Sequence, residues 1–300
     1  MTTSLLASSV LVLAGMLVAG AAGMLTSSII IHGKRREDLY DLLYSLRWDE
    51  ATTNNYGFAP AETTDPERFQ LQLYAELLKL LDTSAPGTGI ERVLEISCGR
   101  GGGLRHLALR LPGAKRVIGL DFSMNAIRFC QAHYAALRNV GFVRGHALQL
   151  PFPEGSFDLV INVEASHAYR DDAAFLREVR RVLRARGWLL YADHRTRRKV
   201  PRLEQLACAA GFAGPLRDVT PNVVRACELD SERRRALIRS GLPWWCRPLG
   251  VGRLEGYAGI PGTVAFERLR NRDRIYLIAC LTVAQEELGE LIDPLAGRAA

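Results

Sequence analysis

The chain has 300 residues, with 39 Lys and Arg against 32 Asp and Glu, a net charge of +7 and 48% hydrophobic residues; its isoelectric point is near 9.3. That composition excludes a disordered or collagen-like chain, and the length accommodates one sizeable folded domain with an appendage. The basic balance allows nucleic acid or an anionic lipid surface as partner. The arginines are scattered, however, and there is no zinc spacing or RNA-reading aromatic motif, so no nucleic-acid partner is expected.

The elements begin with a charge-free stretch. From Met1 to Gly33 there is no Asp, Glu, Lys or Arg, and Leu5 to Ile31 is mostly apolar. As a helix that stretch reaches roughly 40 Å against a hydrocarbon core of ~30 Å, so residues 1–33 are predicted to be a single-pass transmembrane anchor. A cleaved signal peptide would use Ala19-Gly20-Ala21, but it needs a basic region before Leu5, which is missing. Lys34-Arg35-Arg36 follows the span instead, which is expected to place the rest of the chain on the cytoplasmic side of the membrane. Gly15, Ala19 and Gly23 recur every four residues. They leave open a homodimer through the anchor, although so Ala- and Gly-rich a segment produces that pattern by chance as well.

Residues 34–89 form a juxtamembrane and N-terminal helical segment. Glu37 to Trp48 is amphipathic, as for a helix on the membrane surface; Asn54-Asn55-Tyr56-Gly57-Phe58 precedes a helix over Pro66 to Leu81, and Ser84 to Gly89 is a loop.

A domain over residues 90–281 follows. Val93 to Ile96 is a short buried strand, followed by a Gly-rich turn from Gly99 to Gly103 and a helix over Leu104 to Leu111. Asp121 ends the next strand, Val117 to Leu120. A Gly-rich turn after the first strand and an acid at the tip of the second are how doubly wound sheets hold a nucleoside, the acid accepting from the ribose hydroxyls. Glu95 sits on the strand, where its charge would repel a pyrophosphate and suits an ammonium and a sulfonium instead. Further strands are read at Phe157 to Val163 and Gly187 to Ala192, with a helix over Phe175 to Leu183. The alternation predicts an α/β fold with a doubly wound, mostly parallel sheet. Arg202 to Gly211 is a helix, and Leu216 to Val219 and Arg274 to Leu281 are strands that close the sheet. Residues 220–273, between the last two strands, form a cap insertion carrying Arg233-Arg234-Arg235 and Trp244-Trp245. That insertion suits an interfacial face, a lid over an apolar pocket or ordinary packing. Residues 282–300 are a tail. The six cysteines, Cys98, Cys130, Cys208, Cys227, Cys246 and Cys280, form no Cys-x-x-Cys pair, so reduced thiols and no metal site are expected.

The run Val93-Leu94-Glu95-Ile96-Ser97-Cys98-Gly99-Arg100-Gly101-Gly102-Gly103 resembles the first motif of class I S-adenosylmethionine-dependent methyltransferases, with Ser97 where a Gly is usual. The segment Phe142 to Phe152 resembles the family's third strand and adenine loop, with His146 where an Asp usually meets the adenine amino group. Asn162-Val163-Glu164-Ala165-Ser166-His167 resembles the corresponding run of the mycobacterial phthiotriol and phenolphthiotriol dimycocerosate methyltransferases, which also share the unusual Ser97. The likeness runs from Glu91 to about Arg195 and extends to tocopherol- and fatty-acid-type enzymes. It implies a seven-stranded methyltransferase sheet and S-adenosylmethionine as cofactor. The positions it implies for cofactor binding are Tyr56, Glu95, Ser97, Gly99, Gly101, Asp121, Phe122, His146, Ala147 and Asn162. Tyr56 would bring its hydroxyl near the methionine carboxylate, or else pack a linker; a side chain at Gly101 would intrude on the cofactor.

The resemblance also implies methyl transfer to a lipophilic acceptor, a lipid, polyketide or terpenoid, through a hydroxyl. A hydroxyl loses its proton as the new bond forms, and a positioned His contributes ~10²–10⁴-fold. His167, just beyond the fourth strand, is the candidate base, with Glu164 three residues earlier to orient it and His194 next in line. C-methylation of a prenyl-quinol or terpenoid, esterification of a fatty-acid carboxylate, and a non-catalytic cofactor-binding membrane scaffold are the alternatives.

Overall fold

The computed structural model describes residues 41, 44, 51–59, 68–87, 89–242 and 247–284. The predicted anchor over 1–33, the amphipathic stretch Glu37 to Trp48 apart from Asp41 and Tyr44, residues 285–300 of the predicted tail and the pair Trp244-Trp245 lie outside these residues, while Thr282 and Val283, also read as tail, belong to the last strand. Among the described residues, no helix is long and apolar enough to cross a membrane.

Helix α1 (Arg68–Ser84) buries Leu73, Leu77, Leu80 and Leu81, a stripe at helical spacing. It leads into β1 (Arg92–Ile96), α2 (Gly102–Arg110), β2 (Arg116–Asp121), α3 (Met124–His133) and β3 (Val140–Arg144). Next come β4 (Phe157–Val163), a 3-10 turn at Ser166–Ala168, α4 (Asp172–Val182) and β5 (Leu183–Thr196). A second 3-10 turn, Arg197–Lys199, leads into α5 (Val200–Ala209), and then β6 (Phe212–Ala213) and β7 (Arg217–Asp218). The strand order is β3-β2-β1-β4-β5-β8-β6, where β8 is Arg274–Val283 and β7 also pairs with it. Five strands are parallel, and β8 runs antiparallel to β5. The order reverses between β1 and β4, and the crevice beyond their carboxyl ends is where such sheets bind ligands.

The expected seven strands become eight. The last sheet position is split into β6 and β7 because Pro215 between them has no N–H to donate and Gly214, at φ 137°, bends the chain against β8. The fifth strand is also longer than its apolar run. Pairing with β8 continues from Trp188 opposite Thr282 to Thr196 opposite Arg274, which carries Asp193, His194 and Arg195 out to the ligand edge.

Alternating strand residues feed two cores. Val93, Leu159 and Ile161 pack beneath α1 and α2, while Leu94, Ile96 and Val160 pack beneath α4. The 220–273 insertion consists of α6 (Thr220–Leu229), α7 (Ser231–Gly241), α8 (Arg247–Tyr257) and α9 (Val264–Arg270). Val223 and Cys227 of α6 and Phe266 and Leu269 of α9 join the first core.

Gly103 sits inside α2, where replacement by Ala would ordinarily favour the helix by ~1 kcal/mol. Here a Cβ would stand 2.0 Å from Cζ of Tyr74. Gly103→Ala is therefore expected to destabilise the fold by about 1–3 kcal/mol, read as a lower urea midpoint. A midpoint that rises would disprove this contact.

Candidate active site

The Gly-rich turn is held by backbone and by one carboxylate. Cys98 N donates to Leu120 O at 3.0 Å, Gly99 N donates to Asp121 Oδ2 at 2.9 Å, and Ser123 N donates to Asp121 Oδ1 at 2.8 Å. Asp121 is buried, burial raises its pKa, and it ties the ends of β1 and β2 together. Gly101 caps α2 at φ 75°. A Cβ there would meet Tyr134 Cε2 at 2.7 Å and Cys130 Sγ at 3.0 Å, so this glycine makes room for packing under the turn, not for a cofactor above it. At Gly99 a Cβ would meet the Tyr44 hydroxyl at 2.8 Å, so Tyr44 lies against the turn. Asp41 reaches the same end of the sheet, where the Ser123 hydroxyl donates to it.

Ser97, the departure from the usual Gly, adopts φ 60°. Its hydroxyl hydrogen-bonds the Tyr169 hydroxyl at 2.7 Å, and Asn162 Nδ2 donates to that hydroxyl and to Ile96 O, each at 3.1 Å. These bonds offset the ~1 kcal/mol that the left-handed region costs a non-glycine residue.

Two buried acceptors flank the turn on opposite sheet faces, Glu95 Oε2 and Asn162 Oδ1, neither with a hydrogen-bond partner among the described residues. Glu95 Oε1 accepts from the Tyr74 hydroxyl at 2.7 Å. Burial pushes the Glu95 carboxyl up to about 8, with Tyr74 opposing and Asp121 adding to the rise. A buried carboxylate oxygen that lacks a donor fits a cationic ligand end and does not fit pyrophosphate.

At the adenine end, His146 Nδ1 accepts from Leu148 N at 3.1 Å, so the neutral ring carries its proton on Nε2 and presents a donor there. Its ring stands edge-on to Phe122, centroids 6.4 Å apart. Phe122 is 41% exposed, an apolar face open to a base. Ala147 is buried in the core beside Leu150.

The His167 end of the crevice, read from the sequence as the acceptor side, is built from β4, β5 and the first 3-10 turn. His167 N donates to Asp193 Oδ2 at 2.7 Å, and His167 Nδ1 meets Asp193 Oδ1 at 2.8 Å. Asp193 also accepts from Ser166 Oγ at 2.6 Å, His194 N at 2.7 Å and Arg195 Nη1 at 3.1 Å. Burial alone would raise its carboxyl; the His167 and Arg195 charges hold it far below the usual carboxylate range. His194 packs 4.1 Å from the His167 ring, and burial, then the neighbouring His167, push it down to about 3.

Glu164, read from the sequence as the residue that orients His167, bonds two tyrosines through Oε1. Its Oε1 accepts from Tyr56 N at 2.6 Å and from the Tyr276 hydroxyl at 2.7 Å, and its carboxyl is raised to about 7 by desolvation. The left-handed backbone at Glu164, φ 46°, accompanies this placement, in which it pins the 51–59 segment to the sheet. Tyr56 stacks on His194 at 5.6 Å on the acceptor side, and its carbonyl accepts from Arg234 Nη2 at 2.7 Å. Arg234, in the insertion for which an interfacial face, a lid and ordinary packing were all open, is buried against Asp230.

Glu164, His167, Tyr169 and His194 line a cavity of about 600 Å³, closed on the insertion side by Leu237, Ile238 and Leu254. His167, Asp193 and His194 offer ligand atoms within 4.8 Å of one another. A metal does not suit them, because both Asp193 oxygens already take donors and the Arg195 guanidinium lies 3.1 Å away. Asp193, Tyr169, Arg195 and Tyr276 were not singled out by sequence. Asp193 had a usable signal, its place at the carboxyl end of the fifth strand; Tyr276 lies 112 residues from Glu164 and had none.

Residues 94–191 match the family model described as a methyltransferase domain. The chain is 37% identical over 206 residues to a probable phthiotriol/phenolphthiotriol dimycocerosates methyltransferase 2 of Mycobacterium ulcerans, covering 68% of this chain and 76% of that one. It is 32% identical over 250 residues to a fatty-acid O-methyltransferase of Mycolicibacterium smegmatis, covering 80% and 86%. Among solved structures it resembles a phosphoethanolamine N-methyltransferase of Haemonchus contortus bound to S-adenosyl-L-methionine, with TM-score 0.58, 18% identity and coverage of 70% and 53%. It also resembles the cyclase SpnF, with TM-score 0.64, 16% identity and coverage of 82% and 94%. The fold alone therefore does not select the reaction.

Glu95 yields a linkage test. In the apo protein its carboxyl stays protonated up to about 8, whereas the unfolded chain loses that proton near the ordinary value, so its contribution to stability falls as pH rises through this window. A cationic ligand end beside it lowers that pKa, so S-adenosylmethionine binding at pH 7 is expected to release protons and to tighten toward pH 8. Calorimetry in two buffers of different ionisation enthalpy reads the release, which Glu95→Gln should abolish. Proton-neutral binding would show that Glu95 does not meet the cationic end.

Proposed function

We propose a specific acceptor chemistry from one premise: this chain belongs to the class I S-adenosylmethionine-dependent methyltransferases, together with its phthiotriol/phenolphthiotriol dimycocerosate and fatty-acid relatives. It is an enzyme, and S-adenosylmethionine is its cofactor. In our reading it O-methylates a hydroxyl of a lipophilic acceptor while anchored to a membrane by residues 1–33, with the 90–281 domain on the cytoplasmic side and residues 220–273 as its cap.

The observation that carries this reading is the His167–Asp193 pair at the cavity wall. A buried, ionised Asp193 accepting at 2.8 Å from Nδ1 fixes the tautomer in which Nε2 holds the lone pair. The bound cofactor supplies a methyl group on a positively charged sulfur. His167 takes the hydroxyl proton as the acceptor oxygen attacks, Asp193 stabilises the resulting imidazolium, and the cavity holds the acceptor in line. Glu95 and Asp121 fit the ammonium and ribose ends of the cofactor, and Phe122 and His146 its base. Tyr56 walls the acceptor side, where it supports Glu164 instead of reaching the methionine carboxylate.

A second reading, a fatty-acid carboxylate as acceptor, draws on the fatty-acid relative and on the cations Arg170 and Lys199 that also line the cavity. The two readings separate through His167. An alcohol needs a base, so His167→Ala is expected to lower its methylation by ~10²-fold or more with unchanged cofactor affinity. A carboxylate is already ionised and needs none. Radiolabelled methyl transfer to a long-chain alcohol and to the matching acid measures both, and a fully active His167→Ala enzyme on the alcohol would refute the base assignment.

The anchor has its own test. Full-length protein is expected to remain with membranes through a high-salt wash, because apolar insertion is not screened, and a chain starting at Tyr40 to be released while still binding the cofactor. Release of the full chain by salt would overturn it.

A further inference from the structure

The acceptor cavity continues past the catalytic imidazole. Thr196 and Arg274, opposite one another across β5 and β8, line it on one side and on the other line a second cavity of about 590 Å³. The remaining walls of that second cavity are Arg197, Arg198, Arg268 and Asp273. Four arginines thus border one basin with a single acidic residue, Arg197, Arg198, Arg268 and Asp273 being exposed and Arg274 half-buried. Neighbouring arginines are neutralised: Arg195 pairs with Asp172, Arg270 with Glu267 and Arg272 with Asp218. Among the described residues no carboxylate is paired with Arg197, Arg198 or Arg268.

The basin has a defined frame. Arg197 N donates to Asp273 O at 2.9 Å, which holds the Arg197–Lys199 turn against the start of β8. The turn sends Arg197 and Arg198 into the basin and Lys199 into the main cavity. Like charges held together in this way repel, and an anion entering between them relieves that repulsion. Guanidinium forks match oxyanions in two-pronged fashion. One carboxylate is satisfied by a single fork; a basin of this size walled by four arginines suits a group with three or more peripheral oxygens. A phosphoryl group offers three and, unlike a singly charged sulfuryl group, brings up to two negative charges to these cations.

We propose that this basin binds a phosphoryl group at the head of the acceptor, while the apolar body and the hydroxyl of the same molecule occupy the adjoining cavity beside His167. The proposal rests on the reading of that cavity as the acceptor site and narrows its substrate to an anionic amphiphile.

The test is a binding measurement, independent of methyl transfer. Full-length protein in nonionic detergent, saturated with S-adenosylhomocysteine, is titrated calorimetrically with octyl phosphate, octanol and inorganic pyrophosphate. Octyl phosphate is expected to bind at least about tenfold more tightly than either of the others, the gain of one charge-assisted contact or more. The Arg198→Ala/Arg268→Ala variant should lose that advantage over octanol and keep its affinity for S-adenosylhomocysteine. Equal binding of octanol and octyl phosphate, or an advantage that survives in the variant, overturns the basin. Pyrophosphate binding as tightly as octyl phosphate, with the same dependence on the two arginines, makes this a free-phosphate site and overturns the headgroup role. A failure of either kind leaves the His167 rate test untouched, so the two readings fall separately.

Discussion

Asp193 carries a negative charge to the end of β5 with no exposed surface, and the acceptor side of the molecule is arranged by the donors that this charge requires. A carboxylate stripped of water is tolerated only when its lone pairs are filled, and an unfilled one costs several kcal/mol. Five donors fill it: the Ser166 hydroxyl, two from His167, the His194 amide and the Arg195 guanidinium. Those bonds fix the 3-10 turn after β4 and set the plane of the His167 ring. Arg195 reaches on to Asp172 at the start of α4. Removing one donor would expose the rest of the network to an unpaired charge, so the geometry of the imidazole is tied to the stability of this sheet edge.

The cofactor side follows a different economy, in which acceptors are left waiting. Asp121 uses both oxygens on backbone N–H groups and thereby shapes the turn. Glu95 Oε2 and Asn162 Oδ1 are buried with no protein partner described, a state that a native fold keeps where a ligand supplies the missing donors. One end of the crevice is thus saturated and rigid and the other is incomplete without its cofactor. Asp41 and Tyr44, far earlier in the chain, lie at the same end of the sheet, Asp41 against Ser123 and Tyr44 against Gly99.

Much of this was legible in the sequence, for reasons that differ by residue. The strand, Gly-rich turn and acid at 93–121 are local patterns whose physics is complete within some thirty residues, and the parallel strands announce themselves as apolar runs. His167 and His194 could be placed at the ligand edge because strand ends predict it. The partner of His167 could not be read from spacing. Glu164, three residues away, also bonds Tyr56 and Tyr276, and Asp193 reaches the ring through the register of β4 against β5. Gly101 misled in the same way, since its neighbours Tyr134 and Cys130 are tertiary. Arg234 sits in a run of three arginines whose surroundings the sequence left open, and its guanidinium meets backbone carbonyls at Tyr56 and Ala258, contacts invisible along the chain.

The central claim is that His167 and Asp193 act as one unit on the acceptor hydroxyl. A double-mutant cycle measures that most directly, with methyl-transfer rates compared for the native enzyme, His167→Ala, Asp193→Asn and the combined variant. If Asp193 works through the imidazole, the combined variant is no slower than His167→Ala alone, because the second change removes nothing that remains. Losses that multiply across the two substitutions would contradict the account and make Asp193 an independent structural element.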